Sequence, residues 1–190
     1  SQIALGLAKA HEKEIIHRDI KPANIHITSD RVVKILDFGL AKLRGKTKLT
    51  KEGSTLGTVS YMSPEQAKGE ETDHRTDIWS LGVVLYEMFT GIVPFTGDYE
   101  QAIMYTIINQ EPDFESDRSK QIFQPLKAVV QKILKKNPDE RYQSIAKIFH
   151  LLVCGLHNHK SHCPFRSSIR LSSIPSYWVL RLYYRHWNSL

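Results

Sequence analysis

The sequence predicts a mainly α-helical fold that carries one small β-hairpin. Three observations lead there. Apolar residues crowd at helical spacing in several separate stretches of ten or more residues. Two short β-branched runs flank a tight turn. Finally, 41% of the 190 residues are hydrophobic, enough to bury one core, and no internal repeat suggests an array.

Taken in order, Ile3, Leu7 and Ala10, with Ala4 and Ala8 beside them, make an apolar helical face behind a Ser1 cap. That face fades at the charged run from His11 to Glu14. Residues 25–28 and 32–36 are the β-branched runs, and Ser29-Asp30-Arg31 between them reads as a hairpin turn. Residues 42–60 hold many Lys, Thr, Ser and Gly, the composition of a mobile surface loop with a function. Residues 77–90 are apolar nearly all round, as in a helix buried inside a domain, and Gly91 stands where such a helix would stop. Residues 99–109 and 125–136 have helical periodicity, Asn137-Pro138-Asp139 is a turn, and residues 142–153 form a last amphipathic helix.

After Gly155 the chain changes character, with four His, seven Ser, no acids and no sustained period of either kind. A boundary near residue 154 follows, giving a domain over residues 1–153 and a basic, non-domain tail over 154–190. The net charge of +6 is concentrated in that tail, whose five Lys and Arg have no acidic counterweight and leave the first 154 residues at about +1. A nucleic-acid surface is therefore not expected of the main body. No run approaches the roughly 18 apolar residues of a membrane span, and the first residues are too charged for a signal peptide. Cys154 and Cys163 are too few for a disulfide framework, which points to a reducing, cytoplasmic setting. Those cysteines and His157, His159 and His162 match no structural zinc spacing.

Three signals carry the chemistry, in one order. His17-Arg18-Asp19-Ile20-Lys21-Pro22-Ala23-Asn24 lies between the first helix and the hairpin, Asp37-Phe38-Gly39 closes the hairpin, and Ser63-Pro64-Glu65 follows the polar loop. Any one acid here could be an ordinary turn cap; the series together resembles the protein kinase family, with its catalytic loop, metal-binding Asp-Phe-Gly and Ala-Pro-Glu motifs. Gln66 after Ser-Pro-Glu, and Tyr61-Met62 before it, resemble the bacterial serine/threonine kinases.

The resemblance, which covers residues 1–153, implies transfer of the ATP γ-phosphoryl group to Ser or Thr hydroxyls of a protein substrate. Phosphoryl transfer needs positioning and charge neutralisation more than covalent help. It implies Asp19 as acceptor of the hydroxyl proton and Lys21 beside the moving phosphoryl group, with Asn24 and Asp37 holding Mg²⁺ against the ATP phosphates. Lys21, Asn24, His26 and Asp37 would face the nucleotide. Around the loop, Arg18 would pair with a phosphate on Thr50 or Thr55, while Gly57 and Thr58 would face the substrate, Thr58 bonding Asp19 and Lys21. His17, Phe38, Gly39, Glu65, Asp77 and Arg141 would be structural support, Glu65 and Arg141 as a buried ion pair and Asp77 as acceptor for catalytic-loop N–H groups.

The sequence departs from the family in three places. No glycine-rich loop, strand lysine or partner glutamate precedes the catalytic loop, so the chain resembles the helical C-terminal lobe without the β-rich N-terminal lobe, and a supplied N-lobe would be needed for full activity. His26 stands where an apolar floor residue is usual, and an imidazole there tolerates stacking better than it tolerates charge. The tail has no counterpart. A noncatalytic, kinase-like protein-binding module is the competing reading.

Overall fold

The computed structural model describes residues 1–38 and 56–154. Helix α1, Gln2–His11, buries Ala4, Leu7 and Ala8, as the apolar face requires. Its first residue ties it to the hairpin: Gln2 Oε1 accepts the Val33 N–H at 2.8 Å and Nε2 donates to the Arg31 carbonyl at 3.2 Å. The helix ends in a turn with Glu14 left-handed at φ 58°, and the chain then enters the catalytic loop. A short 3₁₀ turn, Pro22–Asn24, leads into β1, Ile25–Ile27, which pairs antiparallel with β2, Val33–Ile35, in the register Ile25↔Ile35 and His26↔Lys34.

Helix α2 is Leu56–Val59, and α3, Pro64–Lys68, begins at a Ser63 cap with Pro64 in its first turn and ends at Gly69, left-handed at φ 73°. Of the surface loop expected over 42–60, residues 42–55 lie outside the described residues, and the rest differs from the expectation. Its last residues are helical, and Val59 and Ser60 are buried, because Val59 enters the core. Helix α4, Arg75–Thr90, is the pillar expected, beginning two residues earlier and burying Ile78, Trp79, Leu81 and Val83 to Tyr86. Gly91 stops it in the left-handed conformation.

Helix α5 is Glu100–Asn109, a 3₁₀ turn spans Ser119–Gln121, and α6 is Gln124–Ile133. The expected helix over 125–136 thus ends three residues short. Beyond the helix end the Lys135 and Lys136 carbonyls accept from Arg141, at 2.7 Å to Nε and 2.9 Å to Nη2. A 3₁₀ turn, Pro138–Glu140, capped by Asn137, replaces the simple turn expected there, and α7, Ile145–Cys154, starts later than residue 142 because Gln143 is spent bonding the carbonyls of Pro138, Asp139 and Arg141.

The core is one cluster to which α1, α4, α6 and α7 all contribute, with α4 packed on α6 and α1 on α7. Gly82 lets α4 and α6 approach closely: a Cβ there would collide with Ile133 and stand 3.0 Å from Leu134 Cδ2. Trp79 stacks on Phe95 with centroids 5.6 Å apart and planes 9° from parallel. Among the described residues no helix is long and apolar enough to cross a membrane. The structure is mainly helical with a two-stranded sheet, as the sequence predicts.

Candidate active site

Asp77, in the first turn of α4 and fully buried, organises the loop that follows α1. Its Oδ1 accepts the Arg18 N–H at 2.7 Å, its Oδ2 accepts the His17 N–H at 2.9 Å, and His11 Nε2 stands 2.8 Å from the same Oδ2. Arg18 is left-handed at φ 66°, a conformation that costs a non-glycine residue about 1–3 kcal/mol. Hydrogen bonds to a charged acceptor, each worth about 1.5–3 kcal/mol, offset that strain.

His17 is wholly buried, and both its ring nitrogens are used. Nδ1 accepts the Asp19 N–H at 3.2 Å, so the ring proton sits on Nε2, which donates to the Leu36 carbonyl at 2.8 Å. The Phe38 ring meets it edge-on, with centroids 4.8 Å apart. Leu36 N–H in turn donates to the Asn24 carbonyl at 2.8 Å. These two bonds through Leu36 bring Asp37, left-handed at φ 62° and exposed, next to the catalytic loop.

Four of the expected side chains converge. Lys21 Nζ lies 2.9 Å from Asp19 Oδ2 and 3.5 Å from Thr58 Oγ1. Asn24 Nδ2 donates to the Asp19 carbonyl at 2.7 Å and to Asp19 Oδ2 at 3.2 Å. Because both of those contacts use its nitrogen, Asn24 keeps its amide oxygen as an acceptor, and with the Asp37 carboxylate it offers the hard oxygen donors that suit Mg²⁺. Among the described residues no set of three His, Cys, Asp or Glu forms a metal cluster by itself.

The supporting ion pair is also present. Arg141 Nη1 and Nη2 reach Glu65 Oε1 and Oε2, each at 2.8 Å, and Thr76 Oγ1 adds a bond of 2.9 Å to Oε1. Burial alone would raise the Glu65 pKa, but the bonds and charge of Arg141, a backbone bond and Thr76 outweigh it and hold it below the usual value. Nearby, Tyr61 Oη donates to Glu87 Oε2 at 2.7 Å, and burial, that bond and the Glu87 charge push the phenol pKa upward.

His26 lies exposed on β1 opposite Lys34. Arg18 Nε is buried and has no partner among the described residues. Gly57 falls in α2, whereas Gly39, Thr50, Thr55 and the tail after residue 154 lie outside the described residues. Sequence reasoning missed His11, whose partner is 66 residues away, and Thr76. It also missed the tie from Gln66 to the Arg18 carbonyl, although Ser63 and Gln66 at capping-box spacing announced the local half of that geometry.

Comparison with known proteins gives these features a context. The protein kinase domain family matches residues 1–152. Serine/threonine-protein kinase PknB of Mycolicibacterium smegmatis is 46% identical over 141 residues, which are 73% of this chain and 23% of that protein. PknB of Mycobacterium leprae is 45% identical over 140 residues, covering 73% and 22%. A probable serine/threonine-protein kinase of Clostridium perfringens is 42% identical over 147 residues, covering 77% and 22%. The chain therefore spans less than a quarter of the length of these relatives. The match over residues 1–152 establishes that the chain belongs to the protein kinase domain family, and the relatives it resembles are bacterial serine/threonine-protein kinases.

Proposed function

We propose that residues 17–58 carry the acceptor and metal side of a phosphoryl-transfer site acting on Ser or Thr hydroxyls of a protein substrate, with ATP as donor. The convergence of Lys21, Asn24 and Thr58 on Asp19 is the observation that carries this reading. In it, Asp19 accepts the substrate hydroxyl proton. Lys21, held between Asp19 and Thr58, presents its ammonium to the transferred group, and Thr58 places the incoming hydroxyl. The Asn24 amide oxygen and the Asp37 carboxylate hold Mg²⁺, which when bound neutralises charge on the ATP phosphates. Arg18 pairs with a phosphate carried on Thr50 or Thr55, and His26 borders the nucleotide.

The residues that cover the nucleotide from the opposite side come from a β-rich lobe in this reading, so the 190-residue chain alone transfers phosphate weakly and gains activity when that lobe is supplied. The bacterial relatives are named as serine/threonine-protein kinases, which supports the acceptor class. The test is a transfer assay with a Ser/Thr-rich protein acceptor, alone and with the N-terminal lobe of a related kinase added. Activity should require Mg²⁺ and fall about 10²–10⁴-fold in Asp19→Asn, the range for loss of a general base. Undiminished transfer by Asp19→Asn would overturn the assignment. A chain that binds a protein partner equally well with and without Asp19 and Asp37 altered, and never transfers, would instead support a binding module.

A further inference from the structure

Gln66 makes three hydrogen bonds that join the helix start it caps to the backbone of the catalytic loop. Its Oε1 accepts the Ser63 N–H at 3.0 Å and its own N–H donates to Ser63 Oγ at 3.3 Å, which together form a capping box. Its Nε2 donates to the Arg18 carbonyl at 2.8 Å, 48 residues earlier in the chain. The partners fix the amide orientation: exchanging oxygen and nitrogen would set N–H against N–H at Ser63 and oxygen against oxygen at Arg18.

The third bond is not needed for capping. Glutamate at this position caps a helix as well as glutamine does, but only glutamine has a donor to spare for a carbonyl. The carbonyl it meets belongs to the planar peptide that leads into Asp19. The N–H of that same peptide donates to His17 Nδ1 at 3.2 Å. One residue back, Arg18 is left-handed with its N–H held by Asp77. The plane before Asp19 is thus pinned at both edges, the amide edge by His17 and the carbonyl edge by Gln66. Fixing the plane fixes the Asp19 Cα and the N–Cα axis about which its side chain turns, and so narrows the directions the carboxylate can take.

We propose that Gln66 is a positioning residue that orients the Asp19 carboxylate by holding the Arg18–Asp19 peptide plane, and so makes that orientation depend on the Ser63–Gln66 turn being in place. The functional half of this claim rests on the reading of Asp19 as proton acceptor; the geometric half does not. Helix α3 is itself anchored through Glu65 to Arg141, so the segment that holds Gln66 is tied to the turn before α7.

The decisive comparison uses residue-resolved amide exchange on the 190-residue chain. Gln66→Glu keeps the acceptor for Ser63 N–H and removes the donor to Arg18, and it should speed exchange of the Asp19 amide about tenfold, with Ser63 and the α4 amides unchanged. Gln66→Met should expose both Asp19 and Ser63. Ser63→Ala, which removes the cap hydroxyl and leaves the bridge, should keep Asp19 protected. Unaltered Asp19 exchange in Gln66→Glu would overturn the proposal, as would a uniform rise at Asp19 and throughout α4, since that reports general loosening. In a transfer assay with the N-terminal lobe supplied, Gln66→Glu should lower kcat and leave KM for ATP unchanged; equal loss in both would count against positioning. Asp19→Asn in the same assay judges the proton-acceptor role separately, so failure of that role leaves the exchange result free to decide on Gln66.

Discussion

One carboxylate, Asp77, gathers three donors from α1 and the catalytic loop, and two of them are backbone N–H groups of residues that flank a left-handed turn. Asp77→Asn leaves at least one of those donors facing an amide N–H₂. It should lower unfolding free energy by about 2–3 kcal/mol in urea titrations, with faster exchange at His17 and Arg18 before any change in α6 or α7. A different residue sets a pH dependence. Lys136 Nζ donates to the Ile107 carbonyl at 2.6 Å and lies 4.0 Å from the centre of the Phe95 ring. Burial, helped by the like charge of Arg141 and only partly offset by the Glu111 carboxylate, which raises it, brings its pKa down to about 8 from 10.5. The unfolded chain therefore binds the proton more tightly than the folded one between these values, so the cost of this ammonium is full below about pH 8 and is relieved as pH rises toward 10.5. Relative to Lys136→Met, the native chain should gain about 1–2 kcal/mol across that window, after allowance for the solvent that reaches the group. A constant difference between the two urea midpoints would refute this.

Among elements, the crossing of α4 and α6 is the tightest constraint. Gly82→Ala adds a methyl group against Ile133 and Leu134, and although alanine favours helix, the overpacking should cost about 1–3 kcal/mol net in thermal or urea unfolding. Substituting Ile133→Val in the same chain should recover part of the loss. At this scale the sequence was legible where one physical cause acted alone. The all-round apolar stretch of α4 and the glycine after it defined a buried helix and its end, and the β-branched runs defined the hairpin. Elements were misjudged where a distant partner decided the local outcome. Three more residues of α6 would satisfy local periodicity, yet the helix stops at Ile133 and the Lys135 and Lys136 carbonyls accept from Arg141, itself paired with Glu65, 76 residues away. Likewise Val59 enters the core from a stretch whose composition reads as solvated loop. The site followed the same rule. Asp19, Lys21 and Asn24 lie within six residues and their grouping was visible, whereas His11 and the reach of Gln66 to Arg18 depend on contacts 66 and 48 residues apart that leave no local mark.

Across the whole molecule, the Glu65–Arg141 pair spans 76 residues and locks α3 to the turn before α7. Removing one partner, as in Glu65→Gln, should cost about 3–5 kcal/mol, because Arg141 is then buried with an uncompensated charge. The Glu65 pKa is lowered in the fold, so its stabilising effect is present above the ordinary value of 4.5 and is lost as pH falls through the folded value. Acid titration of native and Glu65→Gln chains should converge below that point, and persistent separation at low pH would contradict the assignment. Arg141 has a second neighbour: its guanidinium carbon lies 5.0 Å from the centre of the Trp79 ring, and the Lys136 ammonium lies 5.1 Å from it. Trp79 is thereby an optical gauge already installed at the junction, since an indole flanked by cations and shielded from water emits at shorter wavelength than one that is wetted. With Trp178 and Trp187 replaced by phenylalanine, the colour of its fluorescence would show, without any added dye, when the clasp between Glu65 and Arg141 lets go.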